Sequence, residues 1–469
     1  MGTAISQYPT LHPCVGMNEQ RPEDWWNAVV ASALKLRRTN PAAYRDVAAI
    51  ALSGHSLGAL PLDNLQTPLQ HQTPIWSDTR GEPDAAKFFQ SFSEDSWYVR
   101  TGNGFARGLY PAFKLLWLRR VHPEIFTQTV TVMGAKDYIN LRLTGEIATD
   151  HSYASGSGFY NLDDCSYDTE LLEALGLDRE TFPEPIESHD RIGSLTPDAA
   201  ATIGLPASTI VFAGGVDNAC MAVGSELTST GRAYVSLGSS SWVTVGGSKP
   251  VLDTTIRPFV FRHMIPGNYI SALSTFSTGT SFEWARRELF GDASPDAVIS
   301  EALRSDVGAG GVSFVPALAG GTPIEGGSEA RGAFLGISID NNRSDIARAV
   351  MEGIALSLAR SLDLLERFGS IERPILLTGG GSRSVEWNAM YASVMNASLK
   401  RTSVVQDAAT LGAATCAFVG LGNWDSYVDA DRAHELVETV MPDVDAVRRY
   451  VVVRERFTRD CSANIMRTV

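Results

Sequence analysis

The sequence has few cysteines, little positive charge and no long apolar segment. Its five cysteines are scattered through 469 residues and form no C-x-x-C pair. This pattern is typical of reduced thiols in the cytoplasm rather than of a disulfide framework. No apolar run approaches the roughly 18 residues that a membrane helix needs. We therefore predict a cytoplasmic protein without a membrane partner.

Positive charge is scarce, since 39 lysines and arginines face 53 aspartates and glutamates, for a net charge of −14. No lysine-rich run is present that could release counterions from a nucleic-acid backbone, so we expect no nucleic-acid partner. An acidic protein that binds a polyanion such as ATP needs a divalent cation and backbone dipoles to offset the repulsion. The length exceeds that of one ordinary hydrophobic core, which predicts more than one domain.

Strand-like segments alternate with helical ones along the chain, which predicts an α/β fold. We expect strands at 47–52 and 374–377, each followed by glycines, and a hairpin from 233–237 and 241–245. A long helix is expected to begin at a cap formed by Ser344 or Asp345. A strand that stops at glycines above a helix N-terminus is a geometry that accepts anions, and both halves of the chain have this pattern.

The most informative single residue is Asp217. An apolar strand at 209–213 ends in Gly214 and Gly215, and Asp217 follows at the start of a helix rich in small residues. Asp is a favoured helix N-cap, and on spacing alone this interpretation and a catalytic base are equally supported. The adjacent glycines allow a substrate to approach the backbone closely, which favours the base, with Asn218 as a donor to a substrate oxygen.

Two glycine-rich turns supply candidate phosphate and nucleotide contacts. The first offers backbone N–H groups and hydroxyls to phosphate oxygens, although an ordinary hairpin tip has the same composition; its residues are Ser236, Gly238, Ser239 and Ser240. The second suits backbone that lies flat against an adenosine; its residues are Gly379, Gly380, Gly381 and Ser382. No G-x-x-x-x-G-K-[ST] P-loop is present, and the missing G-x-G-x-x-G fingerprint disfavours a nicotinamide-dependent dehydrogenase. One carboxylate with two such turns indicates phosphoryl transfer from a nucleotide.

Three further residues are candidates for sugar contacts. His55 lies in a loop bracketed by glycines, and Trp76 and Asp78 follow a short strand expected at 75–76. A tryptophan face for a sugar ring and a carboxylate for its hydroxyls are plausible, with a packing role equally supported.

Taken in order, these motifs resemble the FGGY family of carbohydrate kinases. The shared elements are Arg21-Pro-Glu-Asp-Trp-Trp26, Trp76-Ser-Asp-Thr-Arg80, Lys136-Asp-Tyr138, Leu143-Thr-Gly-Glu146 and Gly332-Ala-Phe-Leu-Gly-Ile337 with the helix that contains Glu352. The similarity extends from about Gln20 to the C-terminal region, and xylulose kinases are the nearest subgroup.

The resemblance implies an α/β fold of two actin-like, RNase-H-like (ASKHA) domains around a central cleft, at 1–228 and 229–469. It implies ATP with Mg²⁺, and a xylulose-like pentulose, a polyol or a sugar acid as the small-molecule substrate. Asp217 would be the general base and a metal ligand. The sugar site would comprise His55, Ser56, Leu57, Trp76, Asp78 and Asn218. Homodimers are common in the family, so a homodimer is possible.

Two departures from the family pattern define the alternative. The family's opening strand and Asp-x-Gly-Thr loop have no counterpart in this sequence, so the alternative is a catalytically impaired pseudokinase that binds sugar or nucleotide. Leu57 stands where xylulose kinases usually have a histidine, which puts specificity for xylulose in question.

Overall fold

The computed structural model describes residues 2–327 and 329–468, with side chains through Asn464. The helices are α1 Pro22–Thr39, α2 Pro41–Arg45, α3 Glu82–Phe88, α4 Glu94–Thr101, α5 Pro111–Val121, α6 Pro123–Gln128, α7 Ala135–Thr144, α8 His151–Ala154, α9 Thr169–Leu175, α10 Pro197–Ile203, α11 Asp217–Gly224, α12 Gly279–Glu288, α13 Pro295–Ala302, α14 Arg343–Glu366, α15 Val385–Met395, α16 Ala408–Gly420 and α17 Val444–Thr468.

The strands are β1 Glu19–Gln20, β2 Ala49–Ile50, β3 Ser53–Gly54, β4 Leu60–Leu62, β5 Thr73–Pro74, β6 Thr131–Met133, β7 Thr149–Asp150, β8 Tyr160–Asn161, β9 Ser166–Tyr167, β10 Pro185–Ile186, β11 Arg191–Ser194, β12 Ile210–Phe212, β13 Gly215–Val216, β14 Ala233–Leu237, β15 Ser241–Gly247, β16 Phe259–Arg262, β17 Tyr269–Thr275, β18 Ser313–Val315, β19 Ala333–Leu335, β20 Ile375–Thr378, β21 Leu399–Thr402 and β22 Leu436–Val440.

The C-terminal half is built on a mixed sheet of strand order β16-β17-β15-β14-β20-β21-β22. The predicted hairpin is confirmed as β14 and β15, and the strand predicted at 374–377 is present as β20, one residue later. β14 and β20 are parallel neighbours, with Ser236 opposite Thr378. Because both strands run in the same direction, the two glycine turns that follow them lie at the same edge of the sheet.

The N-terminal half has a smaller sheet of order β11-β12-β2, extended by the parallel pair β13 and β3. Of the strand predicted at 47–52, only β2 at Ala49–Ile50 is present, and β3 follows just beyond the predicted end. β2 pairs with β12 and β3 with β13, the two strands that lead to Asp217. The prediction of a strand at 75–76 is wrong. The extended residues are two positions earlier, in β5 at Thr73–Pro74, which pairs with β1. Trp76 lies instead in the turn that follows.

Hydrophobic packing joins the two halves as well as filling each one. In the C-terminal half, α14 and α15 cover the sheet through residues such as Ile354, Leu362 and Tyr391. A second cluster, rich in aromatic side chains of the N-terminal half, also contains residues of β16 and α16. α16 crosses α11 at glycines, since a Cβ on Gly412 would lie 1.9 Å from the carbonyl oxygen of Cys220.

The cap of the long helix differs from the prediction. Asn342, rather than Ser344 or Asp345, is the N-cap of α14, and its side chain accepts hydrogen bonds from the backbone N–H groups of both predicted residues. Asp345 instead completes a capping box by accepting from the backbone of Asn342. Within the described residues, no helix combines the length and hydrophobicity needed to cross a membrane.

Candidate active site

Parallel strand pairing brings Asp217 close to the loop at 54–58, which contains the predicted sugar contacts His55, Ser56 and Leu57. Gly215 pairs with Ser53 and Val216 with Gly54, so the residues after each strand emerge at the same sheet edge. The turn before Asp217 requires a glycine, because Gly214 has φ +71° and a Cβ there would lie 2.3 Å from the carbonyl oxygen of Leu52. The two glycines therefore let the chain run against the neighbouring strand.

Asp217 is the first residue of α11 rather than its N-cap, which is Val216. One carboxylate oxygen of Asp217 accepts the backbone N–H of Asn218 at 2.8 Å. Asp217 is exposed to solvent, but it lies in a recess where many protein atoms surround the carboxylate. This burial raises the pKa of Asp217 to about 6, against the lowering effect of the backbone N–H donors of Asn218 and of Asp217 itself. Such a carboxylate exchanges protons near neutral pH.

Asp217 also acts electrostatically on the sheet of the other half. Burial, with a further contribution from the negative charge of Asp217, raises the pKa of Tyr234 to about 12, although a hydrogen bond with Thr244 opposes the shift. Tyr234 lies on β14, the strand that also contains Ser236. The carboxylate therefore lies within electrostatic reach of the strand that leads into the first glycine turn.

The two glycine turns line one side of a cavity of about 870 Å³. Gly238, Ser239, Gly380 and Gly381 contribute to its wall. The turns touch each other, since Gly379 has φ +86° and a Cβ there would lie 2.6 Å from the carbonyl oxygen of Leu237. The structure thus brings together two segments that lie about 140 positions apart in the printed sequence, and the cavity is large enough for a small-molecule ligand.

Three of the predicted turn residues, Ser236, Ser240 and Ser382, are not part of the wall of this cavity. The carbonyl oxygen of Ser240 accepts the N–H of Gly238 at 3.1 Å, which closes the tip of the hairpin. Ser382 is buried, and its hydroxyl donates to the carbonyl oxygen of Gly379 at 2.8 Å. Ser236 is half-buried near the end of β14. Ser382 therefore shapes the second turn from inside.

Sequence reasoning missed the helix that approaches these turns. The N–H groups of Gly279 and Thr280, at the start of α12, donate to the carbonyl oxygens of Gly238 and Ser239, both at 3.1 Å. Arg287 of the same helix and Arg383 after the second turn also line the cavity. The start of α12 therefore holds the first glycine turn in place, and the two guanidinium groups are suited to anionic oxygens. No sequence motif marks α12, because its role depends on a contact between distant segments.

Lys114 is a second residue that sequence reasoning missed. It is 2% exposed, and its Nζ donates to the carbonyl oxygens of Leu57 and Ile75, both at 2.7 Å. These carbonyls belong to the two segments predicted to contact the sugar. Burial lowers the pKa of Lys114 to about 7, although the nearby Asp78 carboxylate opposes the shift. A single buried amine thus connects the loop at 54–58 to the turn that contains Trp76.

The other predicted sugar residues fall into exposed and buried groups. Trp76 is 53% exposed, and Asn218 is half-buried beside Asp217. Asp78 is fully buried, and its carboxylate accepts from Arg80 at 2.8 and 2.7 Å and from the N–H of Asn18 at 2.7 Å. The carboxylate of Asp78 is therefore occupied within the protein. Trp76 has an open ring face.

Ser56 and Leu57 are buried, and Leu57 adopts φ +60° although it is not a glycine. This left-handed backbone conformation is uncommon for a leucine, and such conformations occur often at ligand sites. The Leu57 side chain belongs to the aromatic cluster of the N-terminal half. The loop therefore presents its backbone rather than the Leu57 side chain.

His55 contributes to the wall of a separate apolar cavity of about 510 Å³, and its ring lies beside Gly58. α1, β2 and α7 line that cavity, with Trp25 and Ile139 among its residues. Both ring nitrogens of His55 are buried, and among the described residues neither has a hydrogen-bond partner of good geometry. The ring contacts the edge of Trp25 at 5.6 Å between centroids. Burial lowers the pKa of His55 to about 4, so the ring is neutral at physiological pH.

A further cavity of about 490 Å³ lies between the two halves. Thr79 and Phe105 contribute from one half, and Arg257, Phe276 and Thr322 from the other. Phe105 stacks on Phe259 of β16 at 4.2 Å between ring centroids. The halves therefore meet along a surface that encloses a cleft.

The donor set fits a nucleotide with Mg²⁺. In the described part of the chain, no cluster of three or more histidine, cysteine, aspartate or glutamate side chains is arranged to hold a metal ion. Mg²⁺ in nucleotide sites is commonly bound by one or two carboxylates together with substrate phosphates and water. Asp217 supplies one such carboxylate, and the glycine turns supply backbone N–H groups for phosphates.

Two glycine turns lie at one sheet edge, and Asp217 follows a strand end in the other half. This arrangement is typical of a two-domain phosphotransferase. The chain belongs to the FGGY family of carbohydrate kinases: the N-terminal domain of that family matches residues 2–224 and the C-terminal domain matches residues 233–421. The resemblance drawn from the sequence motifs is confirmed. The protein is a carbohydrate kinase of actin-like ASKHA fold, and sugar kinases of this family use ATP to phosphorylate a small-molecule sugar.

Individual relatives agree with this family. The chain is 28% identical over 445 residues to a xylulose kinase of Bacillus subtilis, covering 95% of this chain and 88% of that protein. It is 31% identical over 446 residues to a xylulose kinase of Escherichia coli, covering 94% and 90%. A solved xylulose kinase from Lactobacillus acidophilus has the same fold, with a TM-score of 0.93, 24% identity and coverage of 98% and 92%.

Proposed function

We propose that this protein phosphorylates a pentulose such as xylulose with ATP and Mg²⁺, and that Asp217 is the general base. The proposal rests above all on Asp217, a carboxylate just after a strand end whose pKa is raised to about 6. Its negative charge also contributes to the raised pKa of Tyr234, on the strand that leads to the first glycine turn. The substrate class is supported by the names of the relatives described above.

In the proposed reaction Asp217 accepts the proton of the sugar hydroxyl as that oxygen attacks the terminal phosphorus of ATP. A base with a pKa near 6 is ionised at neutral pH and still holds a proton well enough to assist the attack. Backbone N–H groups of the turn at 239–240 and the charge of Arg383 would bind phosphate oxygens. Mg²⁺, which Asp217 would help to hold, supplies charge neutralisation at the phosphates.

The sugar would lie between Trp76 and Asn218, with the backbone of Ser56 and Leu57 along one side. Trp76 offers an exposed ring face, and Asn218 is adjacent to the proposed base. We assign Asp78 to orienting Arg80 and the turn rather than to direct contact, because its oxygens are already bonded. His55 lines a different cavity, so we assign it no contact with the sugar.

The adenosine would lie in the cavity lined by Gly380 and Gly381, next to Gly379, because glycines leave room for a flat base. Domain limits at 1–228 and 229–469, a homodimer and a cytoplasmic location remain predictions of the same proposal. Size-exclusion chromatography with light scattering would test the homodimer.

ADP release with ATP and Mg²⁺ across pentuloses, polyols and sugar acids tests the function. Asp217→Asn is compared with Asp198→Asn, because Asp198 is likewise an exposed aspartate in the first turn of a helix, on α10. We expect Asp217→Asn to lower kcat by about 10²- to 10⁴-fold, the range for loss of a general base, and Asp198→Asn to retain activity.

Two results would contradict this proposal in different ways. Near wild-type turnover of Asp217→Asn would remove the base assignment while leaving a kinase. Folded wild-type protein that binds sugar or nucleotide by calorimetry, yet turns over no sugar, would support the pseudokinase alternative.

A further inference from the structure

A buried polar cluster lies directly behind the turn that ends in Asp217. Its members are Lys136 and Asp137 on α7, Asp150 at the end of β7, and Ser152 on α8, and all four are buried. Lys136 Nζ lies 2.5 Å from Asp137 Oδ1 and 3.0 Å from Asp150 Oδ1. Burial acts to lower the pKa of Lys136, but the two carboxylates outweigh it and raise that pKa, so the lysine is charged.

This cluster is bonded to the backbone on both sides of the paired glycines. Lys136 Nζ donates to the carbonyl oxygen of Ala213 at 3.0 Å, just before Gly214. Ser152 Oγ accepts the backbone N–H of Val216 at 2.9 Å, just after Gly215. The hydroxyl of Ser152 in turn donates to Asp150 Oδ2 at 2.5 Å.

The position of these bonds matters because glycines restrict the backbone least. A turn of two glycines needs external contacts to hold the next residue in one orientation. The peptide of Val216 lies immediately before Asp217, so a bond to its N–H limits rotation of the segment from which the Asp217 carboxylate projects. None of the groups in the cluster is a substrate ligand in the proposed reaction.

We propose that Asp150 and Ser152 are positioning residues for Asp217: the Asp150 carboxylate orients the Ser152 hydroxyl, and that hydroxyl holds the Val216 peptide in the geometry that directs the base toward the sugar. This inference rests on the proposed function, because it assigns the cluster a part in the rate of phosphoryl transfer. A purely structural role would affect stability without a selective effect on kcat.

The chain offers a matched control for this distinction. Ser188 Oγ also donates to Asp150 Oδ2, at 2.9 Å, and Ser188 is as buried as Ser152. Each Ser→Ala change therefore removes one hydroxyl from the same carboxylate oxygen. Ser152→Ala additionally leaves the Val216 N–H without its acceptor, whereas Ser188→Ala leaves that bond in place.

Steady-state kinetics of the full chain measure the first consequence. We expect Ser152→Ala to lower kcat by at least ~10-fold, because a small misplacement of a catalytic group has large effects on rate. KM for the sugar should stay within ~2-fold, since the binding contacts are untouched. Ser188→Ala should retain kcat within ~3-fold, and Ser152→Thr, which keeps the hydroxyl, should restore most of the rate. Equal losses in Ser152→Ala and Ser188→Ala, or a Ser152→Thr variant that folds but stays as slow as Ser152→Ala, would overturn the inference.

Amide hydrogen exchange at Val216 provides a readout that does not depend on activity. Exchange should be at least ~10-fold faster in Ser152→Ala than in Ser188→Ala, because the protecting bond is lost in one and kept in the other. Equal exchange rates would overturn the positioning role even if Asp217→Asn is inactive. Full activity of Asp217→Asn together with faster exchange in Ser152→Ala would contradict Asp217 as the base. It would still support the hydrogen bond by which Ser152 holds the Val216 peptide.

Discussion

Replacing Lys114 with methionine removes one buried contact that joins two parts of the proposed sugar site. Methionine matches the length of the lysine stem but donates no hydrogen bond. In the wild-type protein Lys114 donates to the carbonyl oxygens of Leu57 and Ile75 at 2.7 Å, with 2% of the residue exposed. Both carbonyls would lose their donor, and no part of the substitution reaches the surface.

We expect Lys114→Met to lower the unfolding free energy only modestly. The hydrogen bonds of Lys114 stabilise the fold, but burying its ammonium group destabilises it by a similar amount. Two hydrogen bonds from a charged donor contribute ~1.5–3 kcal/mol each, but burying an ammonium group costs several kcal/mol. Replacing Lys114 removes both terms and leaves the carbonyls of Leu57 and Ile75 unpaired, which costs ~1–3 kcal/mol in unfolding free energy. The effect on function should be larger, because the loop and the turn no longer have a common donor, and we expect KM for the sugar to rise at least ~10-fold.

The pH dependence of this stability difference has a definite sign. Burial lowers the pKa of Lys114 to about 7 in the folded protein, whereas an unfolded lysine has a pKa of about 10.4. Between these values the unfolded chain binds more protons at this position, so the stability of the wild-type protein relative to Lys114→Met rises with pH. The slope should approach ~1.4 kcal/mol per pH unit in that interval and vanish below it.

Urea denaturation at pH 6.5, 8 and 9.5, together with sugar KM at neutral pH, measures these effects. Lys87→Met is the control, since Lys87 is an exposed lysine on α3 and should change neither quantity. A Lys114→Met protein with wild-type KM, or a stability difference that stays constant from pH 7 to 10, would refute the reasoning.

Three further expectations concern the base, the nucleotide turn and the helix crossing. Because Asp217 has a pKa of about 6, kcat/KM should fall about 10-fold per pH unit below that value, and a pH–rate profile flat down to pH 5 would contradict this. Gly380→Ala adds a Cβ that meets open space in the protein and should raise KM for ATP roughly 10-fold at unchanged stability. Gly379→Ala, at φ +86°, should instead lower the unfolding free energy by ~1–3 kcal/mol, and equal melting temperatures for the two variants would contradict the distinction. Gly412→Ala places a Cβ 1.9 Å from the Cys220 carbonyl oxygen and should destabilise the protein by ~1–3 kcal/mol or more in calorimetry, with Gly369→Ala as the unstrained control.

Sequence reasoning succeeded where local pattern determines the structure. The hairpin of β14 and β15, the strand before Gly379 and the strand end before Asp217 are short apolar segments that stop at glycines. The pairing of β14 with β20, which brings the two glycine turns to one sheet edge, came from the structure. The family motifs then supplied the identity of the fold.

Sequence reasoning could not predict the surroundings of a side chain where distant segments of the chain supply them. Asp78 resembles an exposed sugar ligand in the sequence, but Asn18 and Arg80 occupy its oxygens. His55 lies in a loop beside the site, yet it lines the apolar cavity beneath α1. The start of α12 contacts the first glycine turn across about 40 residues of sequence, and no local pattern records such a contact.

The two buried lysines show how one residue type supports the site in two electrostatic environments. Lys136 is paired with the carboxylates of Asp137 and Asp150, which raise its pKa and keep the lysine charged, so Lys136 can anchor the buried cluster behind Asp217. Lys114 bonds to two neutral carbonyls, and burial lowers its pKa to about 7. The first lysine supports the proposed base and the second joins the loops proposed to hold the sugar. The charge on Lys136 behind the base therefore persists across physiological pH, whereas the charge on Lys114 beneath the loops proposed to hold the sugar changes near pH 7.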